Sequence, residues 1–87
     1  MNGIFISEFI GTFILVISIL ITGNPLFITA AFLAAITIAK LSGGHLNPVV
    51  TLAAWLNKSI NNSQIIMYLS PQILASILAY FVFKNIS

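Results

Sequence analysis

A polar, helix-breaking decapeptide, Ser42-Gly43-Gly44-His45-Leu46-Asn47-Pro48-Val49-Val50-Thr51, separates long apolar runs. Asn47 is a natural helix N-cap, and Pro48 suits the first helical position, where no amide hydrogen is required. The tip of the helix that follows carries the positive end of its dipole, and the Asn47 amide adds two donors. Glycines 43 and 44 allow the backbone to bend, so that the carbonyls of Gly43, Gly44 and His45 can form a ladder of acceptors. Donors at one point with acceptors leading to it make a track for neutral polar molecules, and the same positive terminus repels cations and protons. On residues alone a second reading stands beside this one: a capped interfacial helix after a loop, with no pore. Glu8 is ionisable and lies in an apolar run, which makes function the default hypothesis. Its expected partners are loop amides and His45, as a buried brace, set against a role as a transport proton site. No nucleophile, metal cluster or acid–base pair is assembled, so neither an enzyme nor a cofactor is expected.

These residues need elements to position them, and composition says where those elements lie. Of 87 residues 60% are hydrophobic and 5% charged, the charged side chains being Glu8, Lys40, Lys58 and Lys84. A soluble domain of this size needs far more charge to cover its surface, so the chain is expected to be an integral membrane protein. A net charge of +2 gives no case for nucleic acid, and the absence of cysteine removes disulfides and thiolate metal sites.

The expected spans are about 4–22, 26–41 and 64–83, with a half-helix over 48–56, all within one domain, 1–87. The first run is long enough to cross a hydrocarbon core of ~30 Å. With no preceding basic residue, no cleavage pattern and Glu8 inside it, it does not read as a signal peptide. Gly23-Asn24-Pro25 is a turn signal, and Pro71 a kink signal in the last span. Small residues recurring at helical spacing (Ser7 and Gly11; Ala31, Ala35 and Ala39; Ala75 and Ala79) permit close helix contact in lipid. The fold expected is all-α: three transmembrane helices plus one re-entrant half-helix. The Met1 start and the polar Asn85-Ile86-Ser87 end fit a complete small chain, and a truncated product would look the same.

The Ser42–Thr51 segment closely resembles the first signature of the aquaporin and glycerol-facilitator family, the major intrinsic proteins. There the motif is typically Asn-Pro-Ala, preceded by Ser-Gly-Gly-His or a close variant. Glu8-Phe9-Ile10-Gly11-Thr12 is similar to the family's first-helix pattern of Glu followed four residues later by Thr. Gln72 matches a glutamine common at its place. The resemblance covers essentially the whole chain but only the first half of a family member, one of two inverted repeats. It implies that Asn47 is the pore-lining donor, and that Pro48 and Val49 form the tip contact with an opposing half-helix. Val49 stands where alanine is usual. His45 would turn its backbone carbonyl to the pore while its ring braces the loop. Phe27 falls where the family places the first-half aromatic of its constriction, with Phe32 a competing candidate. Glu8 and Gln72 would be structural braces.

Two departures follow. The second half is absent, and three spans cannot enclose a path or cover the polar backbone of residues 42–47 in lipid. The most economical completion is an identical chain inserted upside down, an antiparallel homodimer, gathered into a tetramer of pores as the family does. Lys40 and Lys58 would lie on one side and Lys84 on the other, a bias small enough to allow both orientations. Family selectivity also rests on an arginine three residues after the second-half asparagine. The equivalent position here is Val50, and the chain has no arginine. The expected activity is thus a passive channel for water or small uncharged solutes, with glycerol, urea, ammonia and dissolved gases as candidates beside water. Competing readings are a half-pore that needs a non-identical partner, a nonconducting remnant, and a small dual-topology proton-coupled transporter using Glu8.

Overall fold

The computed structural model describes residues 2–86, and Met1 and Ser87, the two ends of the sequence, lie outside the described residues. Among these the fold is all-helical: α1 (Asn2–Thr22), α2 (Pro25–Ile38), a 3-10 turn (Ala39–Ser42), α3 (Pro48–Leu56) and α4 (Asn62–Ile86). Two Asn-Pro dipeptides start two of the helices. Asn24 Oδ1 accepts from the amides of Leu26 (2.9 Å) and Phe27 (3.1 Å), with Pro25 in the first helical turn. Asn47 Oδ1 accepts from the Val49 amide at 2.8 Å, ahead of Pro48. Each satisfies amides that a helix start otherwise leaves open.

The apolar run over 26–41 is not one uniform helix. The α-helix stops at Ile38, and the chain tightens into the 3-10 turn, ended by Gly43 at φ 93° and Gly44 at φ 67°. Only glycine takes such a backbone freely. Hydropathy registers the apolar side chains of 39–41 but not this change of hydrogen-bond pattern. Polar ends also join the outer helices: α1 begins at Asn2, and α4 runs through Asn62 and Ser63 at its start and Lys84 and Asn85 at its end. Pro71 sits inside α4 without interrupting it.

Helix α1 is the centre of the packing. It lies against α2, α4 and the 3-10 turn, while α3 packs on α4, and α2 and α4 do not meet among the described residues. The inside is polar and small: Ser7, Glu8, Gly11, Thr12, Ala35, Ala39, Thr51, Gln72, Ala75 and Ala79 are buried. The outside carries Ile6, Ile10, Leu33, Ile73, Ile77 and Phe81. That inversion suits helices solvated by lipid, where small residues bring backbones together and large apolar ones face the acyl chains. The closest approach is at Gly11. A Cβ built there would stand 2.6 Å from Leu46 Cδ2, 3.0 Å from Ala39 Cβ and 3.2 Å from the Ala35 carbonyl. Leu46 thereby plugs the small-residue seam with Ala35 and Ala39, with Ile14, Leu15 and Ile36 around it. Two helices, Gly3–Thr22 and Asn62–Ile86, are long and apolar enough to cross a membrane, and Pro25–Ile38 is a shorter apolar helix.

Candidate functional site

Glu8 on α1 is fully enclosed, at 0% exposure, and gathers the loop that precedes α3. Its Oε2 accepts from the Ser42 hydroxyl and from the His45 amide (3.0 Å). Its Oε1 accepts from the Leu46 amide (2.8 Å) and from Gln72 Nε2 (2.8 Å). Four donors fill the acceptor positions of one carboxylate, and two of them are loop amides that have no other acceptor among the described residues.

A second line of contacts closes this network into a ring. Gln72 Nε2 also donates to Thr51 Oγ1 (2.9 Å), and Thr51 Oγ1 lies 3.0 Å from His45 Nδ1. The His45 ring stacks on Tyr68 with centroids 4.0 Å apart and planes 16° from parallel, and Tyr68 donates to the Ser42 carbonyl at 2.6 Å. Thus α1, the loop, α3 and α4 are tied at one level through Glu8, Ser42, His45, Thr51, Tyr68 and Gln72. Both amide hydrogens of Gln72 are used, and its orientation is fixed because a carboxylate only accepts. Its Oε1, with Ser7 Oγ and Thr12 Oγ1, is buried without a partner.

The outer side of the same loop is open. Asn47, Pro48, Val49 and Val50 are all exposed, Val49 to 71%. Asn47 spends Oδ1 on the α3 cap. Among the described residues nothing engages its Nδ2, and no donor reaches the carbonyls of Gly43, Gly44 or His45. Loop geometry separates the two roles: amides at 45 and 46 turn in toward Glu8, leaving these acceptors unpaired. Leu46, at φ 55°, makes the reversal possible, a left-handed backbone held by its bond to Glu8 and by its buried side chain.

Phe27 is not part of this cluster. It is 56% exposed in the first turn of α2, about 18 Å of helical rise from Ala39. Phe32 is exposed as well, to 40%. An open groove of about 680 Å³ between the end of α3 and the start of α4 is lined by Trp55, Lys58, Asn62 and neighbours, at the opposite end of α3 from Asn47.

Sequence reasoning gave no role to Ser42, Thr51 or Tyr68. The available signals were positional: Tyr68 stands one helical turn before Gln72, and Thr51 one turn after Asn47, so each shares a face with a residue already singled out.

A family model described as "Major intrinsic protein" matches residues 26–87. Among curated proteins, the chain is 36% identical to glycerol uptake facilitator protein-like 6 of Lactiplantibacillus plantarum, over 93% of this chain and 42% of that one. It is 40% identical to aquaporin TIP1-2 of Musa acuminata, over 63% and 22% of the respective lengths. It is 38% identical to the glycerol uptake facilitator protein of Haemophilus influenzae, over 62% and 22%. The chain spans less than half the length of these relatives. No solved structure gives a significant match.

Proposed function

The chain belongs to the major intrinsic protein family and is an integral membrane protein, and we propose that it forms half the wall of a passive pore for water or small uncharged solutes. In this reading α1, α2 with its 3-10 extension, and α4 cross the bilayer, and α3 is a re-entrant half-helix. The observation that carries the proposal is Asn47: an exposed amide at a helix start, its oxygen spent on the cap and its two N–H donors open. The unpaired carbonyls of Gly43, Gly44 and His45 supply acceptors beside it. Pro48 and Val49 make the tip, and Val50 and Phe27 contribute to the constriction. Glu8 and Gln72 hold the loop from behind.

A second copy inserted upside down completes the conduit, and such dimers gather into a tetramer of pores. Support for a second half comes from the exposure of Val49 and from the length of the relatives, more than twice this chain's share. The glycerol facilitators among the relatives, together with valine at position 50, favour small neutral solutes beside water. A proton-coupled transporter would need Glu8 to face a binding cavity, whereas the side chain is enclosed by four donors.

The test is stopped-flow swelling and shrinking of vesicles holding only the purified chain, under water and then glycerol gradients. Asn47→Asp keeps the oxygen that caps Val49 but replaces both open donors with an acceptor and a charge. Loss of the transition-state hydrogen bond alone predicts flux lower by roughly tenfold. Equal rates in wild type, variant and empty vesicles would reject the channel.

A further inference from the structure

The hydroxyl of Thr51 has a single hydrogen, and the structure leaves it one destination. Thr51 is 0% exposed, so an unpaired hydroxyl proton there is costly. Thr29 and Thr37 give theirs to the carbonyl one turn back, Pro25 (2.7 Å) and Leu33 (2.8 Å), whereas the buried Thr12 hydroxyl has no partner among the described residues. At Thr51 the hydroxyl makes no such bond to the corresponding carbonyl, Asn47 O, among the described residues. Its two polar neighbours are Gln72 Nε2, which can only donate, and His45 Nδ1. If Nδ1 carried a proton, Thr51 would face two donors and its own hydrogen would be buried without an acceptor. Nδ1 is therefore the acceptor, and the imidazole proton sits on Nε2.

We infer that Thr51 locks His45 as the Nε2–H tautomer, and that the open edge of the ring is a second side-chain donor to the path, beside the Gly43 and Gly44 carbonyls. Tyr68 covers one ring face and holds the ring plane, and a half-turn within that plane would lose the Nδ1 contact with Thr51, so the two contacts together fix this edge. Nε2 has no partner among the described residues, and it overlooks the bare α-carbon of Gly43: a methyl there would stand 3.9 Å from it. Gly43 and Asn47 are exposed and His45 is half-buried. The role in flux rests on the pore reading, while the tautomer does not. Thr51 is a positioning residue. His45 would favour solutes that bring an acceptor to the carbonyl run before they reach Asn47.

Nitrogen-15 histidine labelling and solid-state NMR in bilayers, at mildly alkaline pH where imidazole is neutral, read the tautomer directly. Wild type should show one species protonated on Nε2. Thr51→Val should admit the second tautomer, and Thr51→Ser should restore the first. In vesicles the urea-to-water permeability ratio should shift about threefold in Thr51→Val, a fraction of one hydrogen bond, and return in Thr51→Ser. A wild-type ring protonated on Nδ1, or an even mixture, would overturn the lock. A tautomer change with an unchanged ratio would overturn the donor role. A chain that holds the Nε2 proton yet passes nothing would sink the pore and uphold the tautomer.

Discussion

Glu8 holds more of this fold than its size suggests, because the donors it receives come from two stretches of chain distant from α1, residues 42–46 and Gln72 of α4. Glu8→Gln keeps the volume but turns one acceptor oxygen into an NH₂ group that must face two donors. Buried donors left unsatisfied cost about 1–3 kcal/mol each, and the bonds to the carboxylate exceed neutral ones, so the substitution should destabilise by about 3 kcal/mol or more. Equilibrium unfolding in mixed detergent micelles measures this, with Asn47→Asp as an exposed comparison expected to stay within about 0.5 kcal/mol of wild type. Unfolding curves that coincide for wild type and Glu8→Gln would show that the four contacts carry no net stability. At this scale the sequence was informative wherever a residue type is costly in its setting. A carboxylate in an apolar run must find partners, so Glu8 announced itself. Tyr68, Ser42 and Thr51 did not, since hydroxyls are common in apolar helices and the partners that tie them to other helices or to the loop lie 26, 34 and 21 residues away in the chain.

The elements are set by short local devices, and the contacts between them by single atoms of clearance. Asn47-Pro48 was readable as a helix start because the cap and the missing amide act within three residues; Asn24-Pro25 is the same device, and reading it only as a turn missed the cap on α2. The end of α2 was not readable from hydropathy, because the 3-10 turn is marked by local bonds to the Ala39 and Lys40 carbonyls and by Gly43, while Ser42 is also tied to Glu8 on another helix. The spacing of Gly11 from Ser7 marks a close-contact face, but only the fold puts Leu46 opposite it. Gly11→Ala would force its methyl against Leu46 Cδ2 and the Ala35 carbonyl, and the second of these is backbone that cannot rotate away. The expected cost is about 1–3 kcal/mol of overpacking. Leu46→Ala alone should cost about 2–5 kcal/mol through the cavity it leaves. Because the two side chains contend for one space, the double variant should be less destabilised than the sum of the singles, and strict additivity in the same unfolding assay would contradict the contact.

For the whole molecule the question is what faces the exposed tip. What covers that tip could not be read from residue types: Val49 at 71% exposure is compatible with lipid, with a separate protein or with another copy. Cysteine chemistry separates these, since the chain has no cysteine of its own. In an antiparallel dimer the two tips meet at the two-fold axis, so the two copies of residue 49 approach each other in mid-membrane. Val49→Cys should then form a disulfide-linked dimer on mild oxidation, a bond that requires α-carbons within about 7 Å. Leu26→Cys is the matched comparison. Residue 26 is 83% exposed at the far end of α2, and in an antiparallel pair its two copies lie toward opposite faces of a core ~30 Å thick. It should therefore stay monomeric under the same oxidation. Efficient linking through Leu26→Cys would mean that the copies run parallel, and the two-fold completion of the pore would fail. If neither variant links while flux still demands a second polypeptide, the other wall belongs to a different protein. Terminal tags reached from both sides of intact membranes should accompany the Val49→Cys dimer, because an antiparallel pair contains one copy in each orientation.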